Sequence, residues 1–136
     1  MNPLSTRAIA VSVTTTAAMG TMIATAPTAS AATYNGGCGS GYVVVNSAPV
    51  GTAGTVFLTY KSSTGLNCVV TVRNSPGSPT TICEKITPRG DREVSKCEQG
   101  VTTWGGPIYA EASGQCVDWR GSIGSATGGK NDTNCN

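Results

Sequence analysis

Residues 55–72 read TVFLTYKSSTGLNCVVTV, and this segment sets the fold class. Two runs rich in β-branched and aromatic residues flank the turn-forming sequence Ser-Ser-Thr-Gly, which is typical of a β-hairpin. Gly65 is expected to take a positive φ angle in the loop, because a residue without a Cβ atom adopts that conformation at little cost. The segment therefore predicts two neighbouring antiparallel strands.

Similar short runs recur on both sides of this hairpin. They cover residues 42–45, 80–87, 94–97, 107–112 and 115–119. The second and third runs are predicted to pair as a hairpin, and the last two are predicted to pair across Ser113-Gly114. The tail from residue 121 is rich in Gly, Ser and Asn, and it is predicted to be irregular as far as Cys135. We expect one all-β domain, a small antiparallel sandwich or partly open barrel of six to seven short strands.

The first 31 residues are typical of a secretory signal peptide. A single charge, Arg7, precedes nineteen uncharged residues at positions 8–26, and Ala29-Ser30-Ala31 supplies small residues for a cleavage site. Retention as a membrane anchor is the alternative, but the threonines and the glycine of this stretch make it only weakly apolar. We expect cleavage after Ala31 and a mature domain at 32–136, secreted and free of the membrane.

All six cysteines follow Ala31, and an even number of cysteines in a short exported domain predicts three disulfides. Spacing alone leaves fifteen pairings open. Cys83–Cys97 is favoured, because eight of the fifteen residues at 84–98 are charged and such a segment needs a local crosslink to hold it as a hairpin. For the other four cysteines we favour Cys38–Cys68 and Cys116–Cys135, which would tie down both ends of the mature domain.

The composition excludes several classes of function. The chain has nine basic and seven acidic residues. This small excess of positive charge does not indicate a surface that binds nucleic acid or an anionic membrane. It has no histidine and no C-x-x-C motif, so we expect no metal, no cofactor and no Ser-His-Asp catalysis. Glu111 and Asp118 could face each other across the last predicted hairpin as a glycosidase pair. The favoured interpretation is either two solvated acids or an Asp118 that bonds turn amides, and in both cases no enzyme.

The charged segment carries one candidate contact site. Arg89-Gly90-Asp91 is expected at the tip of its hairpin, where such residues are also common in ordinary turns. Either Arg89 or Lys85 could anchor the loop in the pocket of a trypsin-like protease. The residues Lys85, Arg89 and Asp91 therefore support a role as an inhibitor of an extracellular hydrolase.

Three aromatic residues are candidates for ligand binding. Exposed Trp and Tyr rings on a rigid sheet can stack on sugar rings, so Trp104, Tyr109 and Trp119 are possible contacts for wall polysaccharide or peptidoglycan. The alternative is that the two tryptophans fill the core. Burial is favoured for Trp119, because Val117 and Trp119 share one face of a strand.

Five blocks of sequence together carry a family resemblance. They are YNGGCGSGY (34–42), GTVFLTY (54–60), NCVVTVR (67–73), GPIY (106–109) and CVDWRGSI (116–123). In this order they resemble the spore-associated protein A family of streptomycetes and related actinomycetes. The resemblance implies a small, exported, non-catalytic protein with a structural or interaction role at the cell or spore surface, whose components would be its partners. The charged segment at 83–98 looks like a departure from the family pattern, which implies a four-cysteine core with the third disulfide stapling an insertion.

Overall fold

The computed structural model describes residues 30–135, and this range folds into eight β-strands without a helix. The strands are β1 (Val43–Val50), β2 (Gly54–Lys61), β3 (Leu66–Arg73), β4 (Thr80–Pro88), β5 (Val94–Val101), β6 (Trp104–Glu111), β7 (Val117–Ile123) and β8 (Ala126–Thr133). The predicted signal peptide falls almost wholly on residues 1–29, outside the described residues, so its cleavage stays a prediction.

The strands form two four-stranded antiparallel sheets that face each other. Sheet A has the order β1-β2-β3-β6, and sheet B has the order β5-β4-β7-β8. Strands β3 and β6 of sheet A pack against β4 of sheet B, and β1 packs against β8. The all-β sandwich is confirmed, with eight strands in the described range where six or seven were expected.

The hairpin predicted from residues 55–72 is confirmed as β2 and β3. Phe57 lies opposite Val70, and Gly65 has a φ of 73° in the connecting turn. The charged hairpin is also confirmed, because β4 and β5 pair with Cys83 directly opposite Cys97. In both hairpins a turn-forming sequence stands between two short runs, and the chain reverses within one sheet.

The third predicted hairpin is wrong. Strand β6 pairs with β3 in sheet A, whereas β7 pairs with β4 and β8 in sheet B. The segment around Ser113-Gly114 therefore carries the chain from one layer to the other. Both strands present buried residues to the space between the sheets, Ile108 from β6 and Trp119 from β7. Burial between two layers is the physical reason that they face each other and do not pair edge to edge.

The prediction of an irregular tail is also wrong. Residues 126–133 form β8, an edge strand that pairs with β7 along most of its length. An edge strand needs backbone hydrogen bonds more than buried side chains, and none of the β8 residues is fully buried. Its glycines and its asparagine are untypical of a strand, and pairing with β7 imposes the extended conformation on them.

The main core lies between the sheets and is built around Trp119. Its side chain is 1% exposed, and its Nε1–H donates a hydrogen bond of 2.8 Å to Thr133 Oγ1. The apolar residues of this core also include Val50, Val56, Leu58, Val69, Ile82, Ile86, Ile108, Val117 and Ile123. The predicted burial of Trp119 is confirmed.

One acidic residue interrupts this apolar layer. Glu84 on β4 is fully buried, and neither carboxyl oxygen has a hydrogen-bond partner of good geometry. Gly105 on β6 makes room for it, because a Cβ atom there would lie 2.9 Å from Glu84 Oε1. The pKa of Glu84 is raised to about 7, and burial is the largest cause. Among the smaller effects, contact with Thr71 and the charge of Lys96 lower the pKa, whereas the charge of Glu98 raises it.

Three disulfides connect the cysteines of the described chain, and they are the pairings favoured from the sequence. Cys38–Cys68 joins the segment before β1 to β3, Cys83–Cys97 joins β4 to β5, and Cys116–Cys135 joins the residue before β7 to the end of the described range. The first bond sits in a second, smaller core with Phe57 and Val70 on the outside of sheet A. This smaller core positions the candidate site.

Candidate functional site

An aromatic surface covers part of the outer side of sheet A. We call it the aromatic face, and it consists of Tyr34, Tyr42, Phe57, Trp104 and Tyr109. Phe57 and Trp104 project from this side because their partners across the ladder, Val70 and Val72, belong to the same small core. The segment that carries Tyr34 and Tyr42 lies over the sheet, where the Cys38–Cys68 bond holds it.

Hydrogen bonds fix this segment against the sheet. The Tyr109 hydroxyl donates to the Cys38 carbonyl oxygen at 3.1 Å, and the Cys38 N–H donates to Tyr34 Oη at 3.2 Å. Trp104 packs closely on Gly37, since a Cβ atom there would lie 2.8 Å from the indole Cζ3. Part of the Trp104 ring is therefore a structural contact, and the rest is open to solvent.

The exposed part of the aromatic face centres on two tyrosines. Tyr109 is 40% exposed, and its ring centroid lies 5.6 Å from that of Tyr42. The ammonium group of Lys61 lies 5.6 Å from the centre of the Tyr42 ring, which is a cation–π distance. Partial burial raises the pKa of the Tyr42 phenol, and Tyr109 and Tyr34 raise it further. This face combines apolar rings with polar hydroxyls and one cation, a set that can stack on a sugar and bond its hydroxyls.

The three aromatic candidates do not share one surface. Trp104 and Tyr109 both lie on the outside of sheet A, but Trp119 fills the core on the inner side of sheet B. Tyr34, Tyr42 and Lys61 were missed by sequence reasoning. A signal for the tyrosines existed, because they flank Cys38 and its favoured bond to Cys68 brings them to β3.

Strand β5 of the charged hairpin forms one edge of sheet B, whereas β4 lies inside the sheet. The two candidate cations of this hairpin, Lys85 and Arg89, are paired with acids. Lys85 Nζ lies 3.4 Å from a Glu93 oxygen, and Arg89 forms an ion pair with Asp132. Asp91 Oδ1 accepts a hydrogen bond of 2.7 Å from the backbone N–H of Arg92. Arg89 and Asp91 thus lie in an ordered turn between β4 and β5.

The two candidate carboxylates do not form a pair. Glu111 lies at the end of β6 and accepts a hydrogen bond of 2.6 Å from the Ser113 hydroxyl, whereas Asp118 on β7 accepts one of 2.8 Å from the backbone N–H of Asp132. Asp118 therefore bonds a backbone amide, but that amide lies in strand β8 and not in a turn. Across residues 30–135 we find no group of three side chains placed to hold a metal ion. That same range contains no helix of the length and apolarity needed to span a bilayer.

Comparison with known proteins gives one informative match. The chain is 42% identical over 136 residues to a Streptomyces coelicolor protein named spore-associated protein A, with 95% of this chain and 88% of that protein covered. No protein-family model matches the chain. No solved structure matches it either.

Proposed function

The chain belongs to the spore-associated protein A family, and we propose that it is an exported, non-catalytic protein of the spore or cell surface. The match over 95% of the chain carries this proposal, because it extends across both sheets and is not confined to one motif. The three disulfides support export, since cytosolic thiols are kept reduced.

Fractionation of the producing organism tests this proposal. We expect most of the protein in the surface fraction of spores or cells, with Met1 to about Ala31 removed and no thiol accessible to alkylation after denaturation. A chain found mainly in the cytosol with alkylatable cysteines would contradict it. Mass spectrometry of the intact chain reads both the cleavage point and the number of free thiols.

The aromatic face favours a second candidate function, the binding of wall polysaccharide or peptidoglycan. Tyr109 and Tyr42 offer their rings to solvent beside Lys61, on a surface that a disulfide and two hydrogen bonds keep rigid. Preorganised rings lose little conformational freedom when a ligand stacks on them. This surface therefore fits a neutral, polyhydroxylated ligand better than the charged edge of sheet B does.

Replacing Tyr109 by alanine is expected to weaken binding to isolated cell walls about tenfold, because a stacked ring contributes on the order of 1 kcal/mol beyond its buried area. Tyr109→Phe is the matched control. It keeps the ring, loses the bond to the Cys38 carbonyl oxygen, and should bind within about twofold of the parent protein. Co-sedimentation with purified walls measures both. A folded parent protein that stays in the supernatant, or a Tyr109→Ala variant that binds normally, would rule out this site.

The inhibitor role remains a separate proposal with a different test. Arg89 and Lys85 are both paired with acids of this chain, so a protease pocket would have to compete with Asp132 and Glu93 for them. The measurement is whether the oxidised protein slows a trypsin-like secreted protease. Full protease activity at saturating protein would remove this role.

A further inference from the structure

A groove on the outer side of sheet B is lined by two cations, Lys85 and Arg120. Lys85 on β4 lies directly opposite Arg120 on β7. Ser122 lies opposite Cys83 on one side and opposite Thr127 of β8 on the other. Because side chains alternate along a strand, Lys85, Arg120, Ser122 and Thr127 all project to this outer side. The register therefore gathers two cations and two hydroxyls from three neighbouring strands.

These side chains line a concavity of about 220 Å³, which we call the cationic groove. Its lining consists of Cys83, Lys85, Arg120, Gly121, Ser122 and Thr127. The set contains two positive charges, two hydroxyl donors and no carboxylate. Cys83 is held in its disulfide and Gly121 has no side chain, so the base of the groove offers no competing polar group.

The two neighbouring cations, Lys85 and Arg120, favour a negatively charged partner, and the contacts within the chain provide an acid for Lys85 only. Like charges directly opposite each other in a ladder are destabilising. Lys85 Nζ lies 3.4 Å from a Glu93 oxygen, but Arg120 donates a hydrogen bond of 3.5 Å to the neutral amide oxygen of Asn131. An oxyanion bound between Lys85 and Arg120 would remove this repulsion, and it would gain charge-assisted hydrogen bonds from both.

A second concavity of about 240 Å³ adjoins the first and shares Lys85 and Arg120 with it. Its further lining is mixed, with hydroxyl, amide and carboxylate groups from Thr87, Glu93, Asp118 and Asn131. Such a set both donates to and accepts from hydroxyl groups. Gly129 lies opposite Arg120, and a Cβ atom there would collide with the Trp119 carbonyl oxygen and lie 2.8 Å from Arg120 Cγ, so the close approach of β8 to β7 at this point requires glycine.

We propose that the outer side of sheet B binds a phosphodiester-linked polyol. The phosphate lies in the cationic groove between Lys85 and Arg120, with Ser122 and Thr127 donating to its oxygens. The polyol hydroxyls lie in the adjoining concavity against Asp118 and Asn131. This proposal names the class of surface polymer that the protein binds. It rests on the proposed surface role only in assuming that the protein and the polymer occur at the same surface.

The test uses the oxidised protein and a small soluble phosphodiester, bis(glycerol) phosphate, with glycerol and sodium chloride as controls at matched concentration and ionic strength. Titration followed by NMR is expected to shift the backbone amides of Ser122 and Thr127 saturably with the diester and not with either control. Arg120→Gln should weaken the apparent affinity by about tenfold to a hundredfold, as loss of a charge-assisted hydrogen bond requires. Arg92→Gln is the matched control, since it removes the same charge from the β4–β5 connection outside both concavities.

Three outcomes would overturn the proposal. They are no saturable shift with the diester, equal loss of affinity in Arg120→Gln and Arg92→Gln, and binding of inorganic phosphate without binding of the diester. The exposed Arg120 is replaceable without loss of core contacts, and Ser122→Ala provides a second variant whose folding can be checked by the dispersion of the same spectra. Because the test uses purified protein, its failure leaves the surface location untouched, and only fractionation decides that location.

Discussion

Replacing Trp119 by alanine is expected to lower the free energy of unfolding by about 3–5 kcal/mol, enough to leave a marginal domain of this size largely unfolded. The side chain is 1% exposed between the two sheets, so its removal leaves a cavity that neighbours such as Ile86 and Val56 cannot fill without moving. The change also leaves the half-buried hydroxyl of Thr133 without its Trp119 donor.

Trp104→Ala is the matched control, because it removes the same side chain from the partly exposed outer side of sheet A. Its cost should be smaller, roughly 1–3 kcal/mol, since less apolar area returns to water. Urea unfolding of both oxidised variants, followed by far-ultraviolet circular dichroism, gives the comparison. If Trp119→Ala does not fold, Trp119→Phe keeps most of the volume and can be measured. A larger cost for Trp104→Ala than for Trp119→Ala, or for Trp104→Phe than for Trp119→Phe, would contradict the assignment of the core.

The stability of the protein is expected to fall as the pH rises from about 4.5 to about 7, and to level off above that. The pKa of Glu84 is raised from 4.5 to about 7 in the folded chain, so in this window the folded state holds a proton that the unfolded state has released. The full loss is about 3 kcal/mol for a shift of this size. The groups that face Glu84 are Thr71 from β3, Lys96 and Glu98 from β5, and the glycines of β6 and β7.

Glu84→Gln isolates this effect, because glutamine has nearly the same shape and does not titrate. The free energy of unfolding of the variant should change little between about pH 5 and about pH 8, and above pH 7 it should exceed that of the parent protein. Urea unfolding at both pH values measures it. A parent protein that is equally stable at both, or a variant that loses as much stability as the parent, would show that Glu84 is not the responsible group.

The sequence predicted those features in which a local pattern and a local contact coincide. The β2–β3 hairpin follows from a turn that contains Gly65. The Cys83–Cys97 bond was favoured because the segment between the two cysteines is highly charged, although Glu84 and Ile86 of that segment are buried. The burial of Trp119 follows from its alternation with Val117. In the hairpin and the disulfide the contacting residues are close in the sequence, whereas for Trp119 the alternation indicated burial without indicating the partners, such as Ile86.

Features that depend on distant partners could not be read in the same way. Ser113-Gly114 is equally compatible with a hairpin and with a crossing between sheets, and only the burial of Ile108 and Trp119 between the layers decides which forms. The same limit applies to the sites. Trp104 and Tyr109 were candidates as single residues, but Tyr42 and Lys61 join them only through the folded sheet. Arg120 could not be identified from the sequence, because only the register between β4 and β7 places it opposite Lys85.

The disulfides also determine how far the protein can be stretched. A tensile load that enters at Cys38 and leaves at Cys135 passes through covalent bonds that bypass three stretches, with sequence separations of 30, 14 and 19 residues. Only the chain between Cys68 and Cys83 and between Cys97 and Cys116 can lengthen, by at most about 3.6 Å per residue. Under a pull that breaks every hydrogen bond, all of β1, β2, β7 and β8 would carry no force, because they lie wholly inside loops that disulfides close. A surface layer built of such units would have a fixed limit of extension, because the three disulfides keep the same pairs of cysteines joined throughout the pull.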